Sequence, residues 1–253
     1  MPLEQVLMLL VAAAGAGWVD AVVGGGGLLQ LPALMMAGVA PVEAMATNKF
    51  SSVFGTASAA VTYTRTTKVD RPVALPAAGL AVLSAALGAS AAAAISAEVL
   101  RPLVMVILLG VAAFVTLRPA MGAVARPQLR TRARVTVAVL TAGVAIAFYD
   151  GIMGPGTGTF LIIAFTALLG LDFVSASASA KIINTGTNIG ALLFFGWHGH
   201  VLWVLGLGMA ACNIAGAQAG ARMAIRRGTG FVRIVLLCVV AAMVSRLAWQ
   251  QFG

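Results

Sequence analysis

The chain has 253 residues, of which 61% are hydrophobic and only 9% are charged. A water-soluble domain carries roughly 25% charged residues, so this chain cannot cover its surface in water and a bilayer is its expected solvent. The net charge of +9 does not point to nucleic acid, because the basic residues sit in short gaps between apolar runs with no aromatic platform among them.

In chain order, the apolar segments of the first half are 3–22, 27–40, 43–64, 72–95 and 102–118. Those of the second half are 135–152, 157–170, 173–197, 201–221 and 231–250. Each half has four long segments and one short one, and the short one comes second. The short segments have 14 residues, about 21 Å as a helix, against a hydrocarbon core of roughly 30 Å. They are expected to be half-helices or re-entrant pieces buried in protein. The expected fold class is an all-α polytopic membrane protein, with a first repeat at 1–118, a basic linker at 119–134 and a second repeat at 135–253. The apolar stretch 7–16 has the look of a signal-peptide core. It lacks a preceding lysine or arginine, so it is read as a retained segment.

Orientation follows from the basic residues. The gap 64–71 carries Arg65, Lys68 and Arg71. The gap 118–134 carries five arginines and no acid, and 222–233 carries four arginines. All three are placed in the cytoplasm by the positive-inside rule. Segment 43–64 then runs outside to inside and its counterpart 173–197 runs inside to outside. The halves are thus expected to form an inverted repeat, as in many secondary transporters, with both termini outside. Arg246, near an outside end, is a mild exception that snorkelling would accommodate.

The stretch 15–49 organises the chain. Asp20 stands in an apolar run, Gly24, Gly25, Gly26 and Gly27 follow, and Thr47-Asn48-Lys49 closes the unit. The pattern returns with Asp150, Gly154-Pro155-Gly156, Thr157, Gly158 and Lys181, with Asn184 and Asn188 beyond. Lys49 lies 29 residues after Asp20, and Lys181 lies 31 after Asp150. Glycine breaks of this kind interrupt one helix and open the next. A helix N-terminus carries partial positive charge and accepts anions. Two such termini meeting near the midplane would make an oxyanion site; the plainer reading is close packing of small residues.

Lys49 and Lys181 sit inside long apolar segments, where a charge costs several kcal/mol and faces a cavity or a partner. They are read as cationic ligands for an anion, or as ion-pair partners of Asp20 and Asp150. The two aspartates suit ion coupling equally well, and the residues alone do not separate these roles. Lys181, Asn184 and Asn188 share a helical face. Cys212 and Cys238 form no C-x-x-C and are read as small buried hydrophobes. His198 and His200 make an H-x-H without a nearby carboxylate or cysteine, which reads as an interfacial turn, not a metal site.

These stretches are similar to the sulfite exporter TauE/SafE family of bacterial membrane permeases. The resemblance rests on GWVDAVVGGGGLLQLPAL with ATNKFSS, and on AFYDGIMGPGTGTFLIIAFTALLG with ASASAKIINTGTNIGALLFF. It implies an inner-membrane transporter for small, often sulfur-containing oxyanions such as sulfite or sulfoacetate. The implied site residues are Asp20, Gly24 to Gly27, Asn48 and Lys49 in the first half. In the second half they are Asp150, Gly154, Gly156, Gly158, Lys181, Asn184 and Asn188. The first half offers only Ser52 and Thr56 opposite the Asn184/Asn188 pair, so an asymmetric site is expected.

The resulting expectation is a secondary transporter, not an enzyme, working by alternating access without a metal or cofactor. A coupling proton or sodium ion and a homodimeric assembly are compatible with the pattern. The alternatives are a passive anion channel, a permease for an unrelated small carboxylate, an intramembrane enzyme and a substrate-free structural partner. An enzyme would need a nucleophile with a positioned base, which the chain does not plainly offer.

Overall fold

The computed structural model describes residues 1–92 and 125–252. Segment 102–118 and much of the linker lie outside the described residues. All the described elements are helices. In the first half these are α1 (Leu3–Val23), α2 (Gly27–Met36), α3 (Pro41–Thr66) and α4 (Arg71–Ala92). A 3-10 turn at Pro127–Leu129 precedes α5 (Arg132–Ile152), which widens into a π-helical turn over Thr141–Ile146. The chain ends with α6 (Thr157–Leu169), α7 (Phe173–Trp197) and α8 (Trp203–Phe252).

The order long, short, long, long therefore occurs twice. The short helices are 10 and 13 residues long, too short to cross a bilayer. The first stops before the expected Ala40 because the chain reverses at Gly38, where Gly38 and Val39 return their N–H groups to Met35 and Leu34. The other departure is in α8. A gap was expected at 222–233, but helix continues through Arg222, Arg226 and Arg227, which are good helix formers. The break is confined to Gly228, with φ 73° and ψ −167°, a conformation open to glycine.

Among the described residues, four helical stretches are long and apolar enough to cross a membrane. They are α1, α4, α5 and Trp203–Val239 of α8. Helices α3 and α7 have the length, at 26 and 25 residues, but bury polar side chains in their middles and lie inside. Helix α1 packs along α8, α8 along α3, α3 against α7, α7 against α4, and α4 against α5. The two halves are interleaved.

In lipid no hydrophobic force draws helices together, so close backbone approach through small residues does that work. A Cβ added at Gly216 would overlap the Ala14 carbonyl across α1–α8, and one at Gly190 would overlap the Val82 carbonyl across α4–α7. Large apolar side chains such as Leu3, Leu83, Leu193 and Val204 point outward, as lipid-facing groups should. Cys212 is half-buried and Cys238 is exposed. This corrects the expectation that both are buried, and follows from the outer face of α8, where an apolar thiol sits against lipid at no cost.

Candidate functional site

The site begins where α1 stops. Gly24 takes a left-handed φ of 80° and returns its N–H to the Asp20 carbonyl. The last carbonyls of a helix have no partner within it, and here the end is buried. Each of four successive carbonyls accepts from a side chain of another helix. Lys181 Nζ donates to Asp20 O, Tyr63 Oη to Ala21 O at 3.0 Å, Ser177 Oγ to Val22 O at 3.1 Å, and Thr159 Oγ1 to Val23 O at 2.9 Å. A helix end that could not survive alone in hydrocarbon is thereby satisfied.

The second break mirrors the first at Gly154, whose φ is 84°. Tyr149 Oη donates to Pro155 O at 2.8 Å, and Gly156, also left-handed, starts α6. The breaks meet directly: a Cβ on either Gly24 or Gly158 would overlap the Cα of the other. The start of α2 lies beside them, with Gly27 facing Pro155 and Asn48.

The four charged residues form two crossed pairs. Lys49 Nζ on α3 lies 2.7 Å from Asp150 Oδ2 on α5. Lys181 Nζ on α7 lies 3.0 Å from Asp20 Oδ2 on α1. Each pair joins one half to the other. Asp20 Oδ1 also accepts from Gly26 N at 3.4 Å, and Asp150 Oδ1 accepts from Thr157 Oγ1 at 2.6 Å.

Between the breaks lies a cavity of about 20 Å³, lined by Asp20, Gly24, Gly27, Asn48, Lys49, Ser52, Asp150, Gly154, Asn184 and Asn188. Every lining residue is polar or glycine. Of the residues singled out by the sequence, Gly25, Gly26, Gly156, Thr157, Gly158 and Lys181 do not line it. Ser52 does line it. Tyr63 and Thr159, which cap α1, carried no signal beyond being polar groups in apolar runs. The same is true of Gln30 and Asn213, fully and almost fully buried and bonded to each other at 3.0 Å.

A family model for sulfite exporter TauE/SafE matches residues 9–247. The chain belongs to the TauE/SafE family. Relatives of this TauE/SafE protein are named as transporters. It is 37% identical over 239 residues to the probable membrane transporter protein ORF9 of Sinorhizobium sp, covering 94% of this chain and 90% of that one. It is 33% identical to the probable membrane transporter protein YfcA of Escherichia coli K12, covering 94% and 87%. A probable membrane transporter protein of Haemophilus influenzae is 30% identical, covering 93% and 91%. No solved structure matches this TauE/SafE chain. It is a membrane transporter by family, and both stretches that suggested the family fall within the matched residues.

Proposed function

We propose that the protein carries a small oxyanion, such as sulfite, sulfoacetate or a related organosulfonate, across the bacterial cytoplasmic membrane by alternating access. The observation that carries this reading is the meeting of the two helix breaks at one polar cavity, with residues of both halves around it. Gly27 at the start of α2 and Gly154 in the turn before α6 line the cavity, and the partial positive charge of a helix N-terminus favours an anion. Asn48, Asn184, Asn188 and Ser52 supply hydrogen bonds to replace the water an anion sheds, and Lys49 supplies a cation.

The family description supports the choice of oxyanion. The size of the cavity supports a carrier over an open channel: about 20 Å³ holds about one water, so cargo enters only when the halves move. The repeated order of helices and the crossed lysine–aspartate pairs support an inverted repeat, each half having a moving partner in the other. Both termini lie outside in this reading, and neither a homodimer nor a metal is needed for the site.

Thermal unfolding of the purified protein against sulfite, sulfate, thiosulfate, sulfoacetate, taurine, acetate and chloride tests it. A ligand that prefers the native state raises the melting temperature by mass action. A selective rise with one sulfur oxyanion, absent in Lys49→Ala, is expected. A rise with acetate alone would move the assignment to carboxylates, and wild-type flux in a Lys49→Ala, Lys181→Ala double variant would remove the lysines from it.

A further inference from the structure

The two lysine–aspartate pairs look equivalent in sequence, and the structure gives them different surroundings. Lys49 and Asp150 both line the cavity, whereas of the other pair only the carboxylate, Asp20, does. Lys181 is fully buried and off the cavity, and its ammonium donates to both the backbone carbonyl and the carboxylate of Asp20. Freeing Lys181 would place no charge where cargo sits, whereas freeing Lys49 would. With both pairs intact the four side-chain charges sum to zero, so those charges give an anion no net attraction.

We propose that the site takes up one proton with one monoanionic oxyanion, that Asp150 is the proton acceptor, and that the Lys181–Asp20 pair is a fixed strut. This rests on the transport reading above. A proton from water binds Asp150 Oδ1 and turns the carboxylate neutral; no covalent bond to cargo forms. Lys49 keeps its charge, loses its counterion and takes the anion as the new one. The sum over the four groups, the proton and the cargo is again zero, so a buried charge is never left unpaired, which in low dielectric would be costly. A dianion such as sulfoacetate would need a second proton for the same balance, so the one-to-one ratio applies to monoanions such as methanesulfonate or hydrogen sulfite.

Thr157 is placed for both states. Its hydroxyl oxygen lies 2.6 Å from Asp150 Oδ1 and 2.8 Å from Gly154 O. One hydroxyl hydrogen cannot serve both acceptors at once. While Asp150 is charged the hydrogen points to the carboxylate. Once Asp150 is protonated, the hydroxyl turns to Gly154 O and accepts from the new O–H. Neither state strands a donor. The other titratable or charged groups facing this centre are Lys49 from α3, Lys181 from α7 with Asp20 from α1, and Tyr149 on α5 itself, held by Pro155 O. Helix α6 brings none, and α4 brings only Arg71, at its distant first turn.

The test uses proteoliposomes of the full chain with a trapped pH dye and sulfur-radiolabelled methanesulfonate, sulfoacetate and sulfite. For a transported sulfonate monoanion, about one proton is expected to move per anion. Asp150→Asn should abolish the proton movement that accompanies anion uptake, and any anion flux it retains should no longer depend on pH. Thr157→Val should slow net uptake about tenfold, and Thr157→Ser should restore it. Anion flux without proton movement in the wild type overturns the coupling and leaves the transport reading standing. Proton movement persisting in Asp150→Asn overturns the choice of Asp150. If that variant does not fold, the wild-type ratio and the threonine pair still decide. Absence of flux for every anion overturns the transport reading and the coupling with it.

Discussion

At the scale of single residues, the two lysines separate by what their loss leaves behind. Removing one partner of a buried pair leaves a charge without compensation, which costs about 3–5 kcal/mol, whereas removing both is far milder. Lys49→Ala should therefore lower the melting temperature in detergent, and Lys49→Ala with Asp150→Asn should recover most of the loss. Lys181→Ala should cost more than Lys49→Ala, because it also strips the Asp20 carbonyl at the end of α1 of a side-chain donor. Restoring charge balance with Asp20→Asn would repair only part of that. The ligand-induced rise in melting temperature should be lost in Lys49→Ala and kept in any Lys181 variant that folds. Equal behaviour of the two lysines in both measurements would refute the difference in their roles. The sequence placed all four charged residues in the membrane and left open whether lysine meets aspartate or cargo. That choice depends on partners roughly 100 to 160 residues away, which no local pattern encodes.

At the scale of elements, the breaks decide the architecture. Gly24→Ala combines a strained left-handed backbone, costing about 1–2 kcal/mol, with overlap against Gly158. Gly158→Ala meets the same overlap from the other side, with an overpacking cost of about 1–3 kcal/mol. Both should unfold at clearly lower temperature. The control is Gly79 in α4, where an added Cβ meets nothing within 4 Å. Gly79→Ala should be neutral or stabilising by up to about 1 kcal/mol, through helix propensity alone. If Gly24→Ala and Gly79→Ala behaved alike, the contact between the breaks would be wrong. The second-place short helices and the glycine breaks were legible because each follows from apolar run length and from backbone rules local to a few residues. The helical course of α8 through Arg222, Arg226 and Arg227 up to the break at Gly228 was not, since charge marks a face or an interface as readily as a loop. Nor was the π-helical turn at Thr141–Ile146, because TAGVAI carries the same apolar pattern whether wound at four residues or five.

At the scale of the molecule, alternating access needs a closure that opens on one side, and the basic face carries a candidate. Arg130 donates from Nε and Nη2 to the two Asp70 oxygens at 3.0 and 2.8 Å. This fork ties the α3–α4 turn to the segment leading into α5. Asp70 N donates to Ser179 Oγ at 3.1 Å, two residues from Lys181. Arg126 N reaches Gly170 O at 2.7 Å, pinning the same segment to the end of α6. The hydrogen bond to Asp70, and then the carboxylate's charge, raise the Arg130 pKa above its ordinary value. The fork therefore holds its cation throughout the physiological range. With side-chain exposures of 40% and 8%, water screens the fork, and pairs of this sort stabilise by about 1 kcal/mol or less. That is too little to hold the fold together and enough to shift an equilibrium between two access states by up to roughly fivefold. The check is labelling of Ser52→Cys, a cavity position, by a membrane-impermeant thiol reagent, with Cys212 and Cys238 replaced. Arg130→Ala should leave the melting temperature nearly unchanged and speed labelling a few-fold from the arginine-rich face only. Exchanging the partners, Asp70→Arg with Arg130→Asp, should bring the rate back down. Faster labelling from the opposite face, or no change in rate, would show that this fork does not hold the cavity shut.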